Sequence, residues 1–310
     1  MGYLCAADPC FFFSCIDDAN WCVMNGANTS SGSRGTFGGQ VGVLLVHGLA
    51  GAPAEFRFVA QGLGRAGHTV FCPLLPGLAA GTDISERSSW KEWYTALEAA
   101  HDELKSRCDI ILVGGMSAGA VLALRLARER HADVHGLILF SPTLWPNGWA
   151  IPRSFILFRL VMYKWFARLF HFRQRPPFGI KDERIRKAVV ECVLKDQDRL
   201  GGGRLWEFKA IVDDVRRGLA MVNQPAHIFH AREDDQSDLG TAETIARSLG
   251  GPVELTILDD SYHLITFDRQ RSVVVDRTVE FVFQITQRVL ERRAMVESAL
   301  APAPSLSRPA

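Results

Sequence analysis

The chain has 310 residues, of which 47% are hydrophobic and 22% charged, with a formal net charge of +1. That apolar content excludes general disorder, and near-neutrality argues against a nucleic-acid partner, which needs a basic surface. No charge-free apolar run reaches the ~18 residues a membrane-spanning helix requires.

Residues 1–40 read as a flexible, Cys-rich N-terminal extension. Cys5, Cys10, Cys15 and Cys22 crowd into it, and only Cys72, Cys108 and Cys192 follow. An odd total with no framework through the body fits a reducing compartment, so a cytoplasmic location is expected. No Lys or Arg precedes Arg34, and Asp8 stands before the apolar Phe11, Phe12 and Phe13, which is not a secretory pattern. The four cysteines lack the paired C-x-x-C of common zinc sites, so no metal is expected. Met24 is an alternative start. Residues 25–40, rich in Gly, Ser, Asn and Thr, read as a linker.

The run Val-Gly-Val-Leu-Leu-Val at 41–46 is the signature of a strand buried on both faces. Similar runs recur at 68–72, 109–113, 136–140, 226–229 and 253–258. Helical patterns lie between them, near 53–66, 89–105, 118–130, 240–249 and 270–293. This alternation predicts an α/β fold with a mostly parallel sheet flanked by helices, its core formed by 41–141 and 223–293.

Directly after the first core strand comes His47-Gly48-Leu49-Ala50-Gly51. Such a loop can aim a backbone N–H at a developing oxyanion, and Leu49 is the expected donor. His47, at a strand end before Gly48, reads as a structural histidine. Gly115-Met116-Ser117-Ala118-Gly119 is a G-x-S-x-G between a strand and a helix, the context of a nucleophile elbow. The serine must sit on a tight, strained turn, and the flanking glycines remove the Cβ atoms that would collide there. The helix start also frees the Ala118 N–H as a second oxyanion donor. The competing reading of the motif is a glycine-rich turn that cradles phosphate.

Between 142 and 222 the pattern is helical and irregular, with no clear strand. That is too long for a connection and predicts a helical cap, or lid, folded over the sheet. Residues 151–175 hold six Lys or Arg and no acid, among many aromatics. Read as one helix from Pro152 to Pro176, they place Arg153, Lys164, Arg168, His171 and Arg175 within about 60° of one another. The stripe either faces solvent above a buried lid, or belongs to a basic amphipathic helix touching an anionic membrane. Either way the inner face over Ser117 is apolar, which predicts a substrate with an acyl chain.

After the strand at 226–229 stand Glu233, Asp234 and Asp235, with Asp238 close behind, and after 253–258 stands His263. The order Ser, acid, His and their positions at the carboxyl ends of strands are those of a catalytic triad on an open α/β sheet. Spacing alone leaves Asp234, Asp235 and Asp238 open as the acid. His263 and Asp268 also form an H-x4-D pattern seen in some acyltransferases, but Asp268 reads as a residue at the start of the last helix. Residues 294–310, rich in Ala, Pro and Ser, read as a disordered tail.

The segments Val43–Gly51, Gly115–Gly119, Ala231–Asp234, His263–Thr266 and Ser88–Trp93 together resemble the bacterial carboxylesterase and monoacylglycerol lipase group of α/β-hydrolases, over roughly 41–292. The resemblance implies Asp234 as the triad acid beside Ser117 and His263, with Leu49 and Ala118 N–H groups as the oxyanion hole and no cofactor. It implies a serine hydrolase acting on carboxylic esters through an acyl-enzyme. A thioesterase or acyltransferase would use the same triad, and a non-catalytic binding module on this fold is the reading from another class. Many relatives have Gly-His-Gly where this chain has Pro76-Gly77-Leu78, a departure at the pocket's border. The expected partner is a small-molecule or lipid ester. Peripheral contact with the inner face of an anionic membrane through 151–175 is left open, as is the oligomeric state.

Overall fold

A computed structural model describes residues 34–36, 40–79, 88–161, 163–173, 175–192 and 199–300. The Cys-rich cluster at 5–22 and the Ala- and Pro-rich end at 301–310 lie outside them.

Six parallel strands form the centre: β2 (Val41–Val46), β3 (Thr69–Cys72), β4 (Ile110–Met116), β5 (Gly136–Phe140), β8 (Ala226–Ala231) and β9 (Val253–Leu258). Five of the six are buried along their whole length, which is why they read as continuous apolar runs rather than alternating ones. A short strand β1 (Arg34–Thr36) pairs antiparallel with β3, giving the order β1-β3-β2-β4-β5-β8-β9. The linker expected at 25–40 therefore contains a sheet-edge strand. Three residues in a Gly- and Ser-rich stretch are too short for periodicity to mark.

Helices cover both faces. On one side α2 (Trp90–Lys105), α3 (Ala118–Glu129), α6 (Gly202–Arg216) and α7 (Leu239–Ser248) pack Leu97, Leu122, Phe208 and Ile245 against the sheet. On the other, α1 (Arg57–Arg65) and α8 (Arg271–Leu300) contribute Val59, Leu63, Val274 and Phe281. The start of α2 carries a capping box between Ser89 and Glu92, which satisfies amide groups the helix leaves open. α8 continues through Leu300, so 294–300 is helical rather than tail. Ala294-Met-Val-Glu-Ser-Ala-Leu300 are mostly fair helix formers, and the first strong breaker is Pro302.

The insertion between β5 and β8 departs most from expectation. Residues 151–175 are not one helix. They form a 3₁₀ segment at Arg153–Leu160, a single turn α4 (Lys164–Ala167) and a strand β6 (His171–Arg173). β6 pairs antiparallel with β7 (Arg199–Gly201), so the region expected to lack strands holds a two-stranded ribbon. A further helix, α5, spans Glu183–Cys192. The single-helix arrangement of cations accordingly does not form. Lys164 turns inward, bonding Glu207 at 2.5 Å and the Ser88 carbonyl at 3.0 Å. The far end of the expected cap also behaves as core: α6 inserts Phe208, Ile211, Val212 and Val215 into the main cluster.

The insertion is fastened at both legs to the carboxyl ends of β8 and β9. Asn147 and Gly148 donate backbone bonds to the Gln236 carbonyl, and Ala150 to that of Asp235. On the return leg, Leu264 N–H bonds the Gly179 carbonyl at 2.7 Å.

Candidate active site

β4 ends at Met116, and Ser117 takes φ 53° and ψ −111° before α3 begins. A non-glycine residue in this strained region marks a position fixed by its surroundings. The turn can close only because its neighbours lack side chains. A Cβ on Gly115 would lie 2.2 Å from the Gly119 carbonyl carbon, and one on Gly119 would lie 2.0 Å from the Val46 carbonyl oxygen. α3 thus starts in direct contact with β2 and β4, its free amide end facing Ser117.

His263 follows β9, and its Nδ1 lies 2.8 and 3.0 Å from the two carboxylate oxygens of Asp234, which follows β8. Asp234 is itself fixed by the N–H groups of Gln236 and Ser237, both at 2.8 Å. The other two acids do different work. Asp235 accepts from Gly179 N–H at 2.9 Å and His263 N–H at 3.3 Å, tying the insertion to the histidine's backbone. Asp238 caps α7, accepting from Thr241 N–H.

Both members of the buried pair are shifted toward their charged forms. For Asp234, burial raises the pKa, but the charge and hydrogen bond of His263, the charge of His230 and the Ser237 amide hold the carboxyl below its usual range. For His263, burial lowers the pKa, and Asp234, helped by Asp235 and Glu55, outweighs that and raises it. Burial raises Asp235.

The Ser117 hydroxyl bonds Thr143 Oγ1 at 3.2 Å rather than His263. Thr143 in turn donates to the Ser141 carbonyl, and Ser141 Oγ donates to the His263 carbonyl at 2.7 Å. Ser141, with φ 42°, directly follows β5, so one strand end supports both the serine and the histidine.

Beside Ser117 lies the loop after β2. Among the described residues the N–H groups of Leu49 and Ala118 make no turn, loop or cap hydrogen bond, and both residues line the same cavity as Ser117. His47 is wholly buried: its Nδ1 donates to the Gly48 carbonyl, and its Nε2 accepts from Leu75 N–H at 3.1 Å. Burial pushes its pKa down to about 4, which keeps it a neutral brace. Ala50 N–H bonds the Leu78 carbonyl, so the unusual Pro76-Gly77-Leu78 stretch supports this loop from below.

The cavity over Ser117 has a volume of about 930 Å³. Its walls are mainly apolar residues of the insertion, among them Phe155, Phe158, Val161, Phe172 and Leu205, with Thr143, His171, Arg175, Asp235 and Gln236 among the polar members. No group of three or more His, Cys, Asp or Glu among the described residues could hold a metal ion.

Residues 40–270 match the family described as serine aminopeptidase, S33. The chain belongs to this family. The first curated relative is the thermostable monoacylglycerol lipase of Bacillus sp. (strain H-257), 27% identical over 252 residues, covering 78% of this chain and 90% of that protein. A carboxylesterase of Bacillus subtilis (strain 168) is 23% identical over 247 residues, covering 79% and 93%. Among solved structures, the monoacylglycerol lipase of Paleococcus ferrophilus superposes with a TM-score of 0.69 at 18% identity, covering 82% of this chain and 98% of that one. A metagenome-derived lipolytic enzyme gives the same TM-score and coverage at 23% identity. The fold is that of the α/β-hydrolases.

In this S33-family chain, sequence reasoning missed one fastening residue in particular. The Asp268 carboxylate, fully buried, accepts from four backbone N–H groups: Tyr262 at 2.7 Å, Lys181 at 2.8 Å, and Asp182 and Arg269 at 2.9 Å. It clamps the return leg of the insertion to the loop that carries His263. A two-residue H-x4-D pattern held no sign of this, since two of the donors lie some 86 residues upstream. Asp268→Ala is expected to lower the free energy of unfolding by ~2–4 kcal/mol, because the amides lose a charged acceptor. Urea unfolding reads it directly, and an unchanged midpoint would refute the clamp.

Proposed function

We propose that the protein is a serine hydrolase of carboxylic esters, acting through an acyl-enzyme on Ser117. The observation that carries this reading is the strained Ser117 turn beside a buried His263–Asp234 pair, under a largely apolar cavity. The names of the Bacillus relatives support the ester class.

In the proposed reaction the Ser117 hydroxyl turns from Thr143 toward His263 and attacks the ester carbonyl. His263 Nε2 takes the serine proton, while Asp234 holds the imidazole through Nδ1 and stabilises the cation. The carbonyl oxygen becomes an oxyanion between the N–H groups of Leu49 and Ala118; removing one such donor typically costs ~3 kcal/mol. The C–O bond breaks, His263 protonates the leaving alcohol, and a water molecule activated by His263 releases the acid.

The cavity walls favour an acyl chain of medium or greater length. A panel of p-nitrophenyl esters is expected to show higher kcat/KM for octanoate than for acetate by ~10-fold or more, each buried methylene adding about 0.8 kcal/mol until the cavity is filled. Preference for acetate would contradict this. Acyl-CoA thioesters run in the same panel separate the ester reading from a thioesterase, and added acyl acceptors separate hydrolysis from acyl transfer.

The insertion serves as a lid that rests on an anionic lipid surface. Leu157, Leu160, Trp165 and Leu169 are each more than 60% exposed, and Arg153, Arg168 and Arg175 are exposed among them. Exposed apolar side chains and cations on one segment suit the boundary between lipid headgroups and chains. Among the described residues no helix is long and apolar enough to cross a membrane, so the contact is peripheral. Cys72 and Cys108 are buried and not in disulfides, and a reducing, cytoplasmic location is part of this reading. Vesicles containing phosphatidylserine are expected to carry the protein in flotation at low salt, and Arg153→Glu with Arg168→Glu to release it. Flotation that is absent, or indifferent to the charge reversal, would remove this contact.

A further inference from the structure

We infer that Glu55 is a positioning residue of the oxyanion loop; the inference rests on the proposed ester chemistry. Glu55 lies in the 3₁₀ turn Pro53–Phe56, nine residues beyond the end of β2, and its side chain folds back under the loop His47–Gly51. Its Oε2 accepts from Gly48 N–H at 2.8 Å. Its Oε1 occupies the space a Cβ on Gly51 would need, 2.0 Å from that position. The carboxyl group is thus the floor on which both glycines of the loop rest.

Leu49 stands between those two glycines. Its N–H can serve an oxyanion only if the loop is held with that bond aimed into the cavity. Hydrogen bonds hold it from several sides: His47 bonds the Gly48 carbonyl, which also takes Gly51 N–H, the Leu78 carbonyl takes Ala50 N–H, and Glu55 takes Gly48 N–H. The Glu55 bond takes up the Gly48 amide, while the next amide, that of Leu49, makes no turn or loop hydrogen bond among the described residues. Sequence patterning offers no sign of this, because a glutamate in a turn after a glycine loop reads as an ordinary solvated residue.

The test compares Glu55→Ala with Glu55→Gln by kcat and KM on p-nitrophenyl octanoate, with urea midpoints for both. Glu55→Ala is expected to reduce kcat ~10–100-fold with KM within about twofold, since an oxyanion donor acts in the transition state more than in the ground state. Glu55→Gln, which keeps an acceptor for Gly48 N–H, is expected to recover kcat to within about fivefold of wild type. Unchanged kcat in Glu55→Ala, or equal losses in both variants, would each overturn the inference. The rate of fluorophosphonate labelling is measured in parallel. If wild type hydrolyses no ester yet is labelled, and Glu55→Ala is labelled ~10-fold or more slowly while Glu55→Gln is not, the ester reading fails and the placement of Glu55 stands.

Discussion

Ser117→Ala is expected to reduce ester turnover by ~10⁴–10⁶-fold while leaving the fold intact. A hydroxyl removed from an elbow at φ 53° leaves the backbone strain and glycine contacts unchanged, so the urea midpoint should stay close to that of the wild type. The residual rate would come from the oxyanion donors and the cavity, which act without a nucleophile. Single-turnover kinetics with p-nitrophenyl octanoate measures this best: wild type should release a burst of p-nitrophenol as the acyl-enzyme fills, and the variant none. A variant that kept more than a few per cent of activity would place the nucleophile elsewhere.

Asp234→Asn is expected to cost ~10⁴-fold in kcat, the loss seen when a triad acid becomes an amide. The amide can offer its N–H to His263 Nδ1, which moves the imidazole proton to Nε2, where it faces the serine and can accept nothing. The pH profile of the native protein carries the same information. Asp234 raises His263 above the ordinary 6.5, and only neutral His263 can take the serine proton. Activity is therefore lost as pH falls through that raised value, and the acidic limb of kcat/KM should be centred above pH 6.5. A limb below 6.5 would mean the pair does not form in solution. Asp235→Asn provides the contrast: its carboxylate accepts backbone amides and does not touch the imidazole nitrogens, so it should weaken the insertion's attachment far more than the chemistry.

What the sequence made legible was whatever local chemistry forces. Strands buried on two faces must be apolar throughout, so β2, β4, β5 and β8 stood out, and their limits fell within three residues of the runs seen in the sequence. The elbow was legible because a serine at positive φ needs small neighbours at fixed offsets. His47 was legible as a brace because a strand end before glycine leaves little room for anything else. The choice of Asp234 over Asp235 was not in the spacing: two adjacent carboxylates after one strand look alike, and only the turn through Gln236 and Ser237 decides which faces the imidazole. The insertion was the least legible. Its periodicity admitted a helix over 151–175, but β6 exists only because it pairs with Arg199–Gly201, across a separation no local pattern records. Lys164 looked like one cation among six, although buried Glu207 on α6 draws it inward. Asp268 and Glu55 share this property: each binds backbone amides, which have no sequence identity to recognise.

The dependence of the site on the insertion follows from the same contacts. Its first leg rests on the Asp234 loop and its return leg on the His263 loop, through Asp235 and Asp268. Any movement of the insertion would therefore reach both Asp234 and His263, and the proposed lipid contact at Leu157 and Trp165 would have a physical route to the chemistry.

The most direct test of the acyl-enzyme is to label the protein with a fluorophosphonate and map the adduct by peptide mass spectrometry. One adduct per chain on the peptide containing Gly115-Met-Ser-Ala-Gly119, blocked by prior incubation with p-nitrophenyl octanoate and absent in Ser117→Ala, is the predicted result. An adduct on another residue, or wild-type labelling retained in Ser117→Ala, would contradict it.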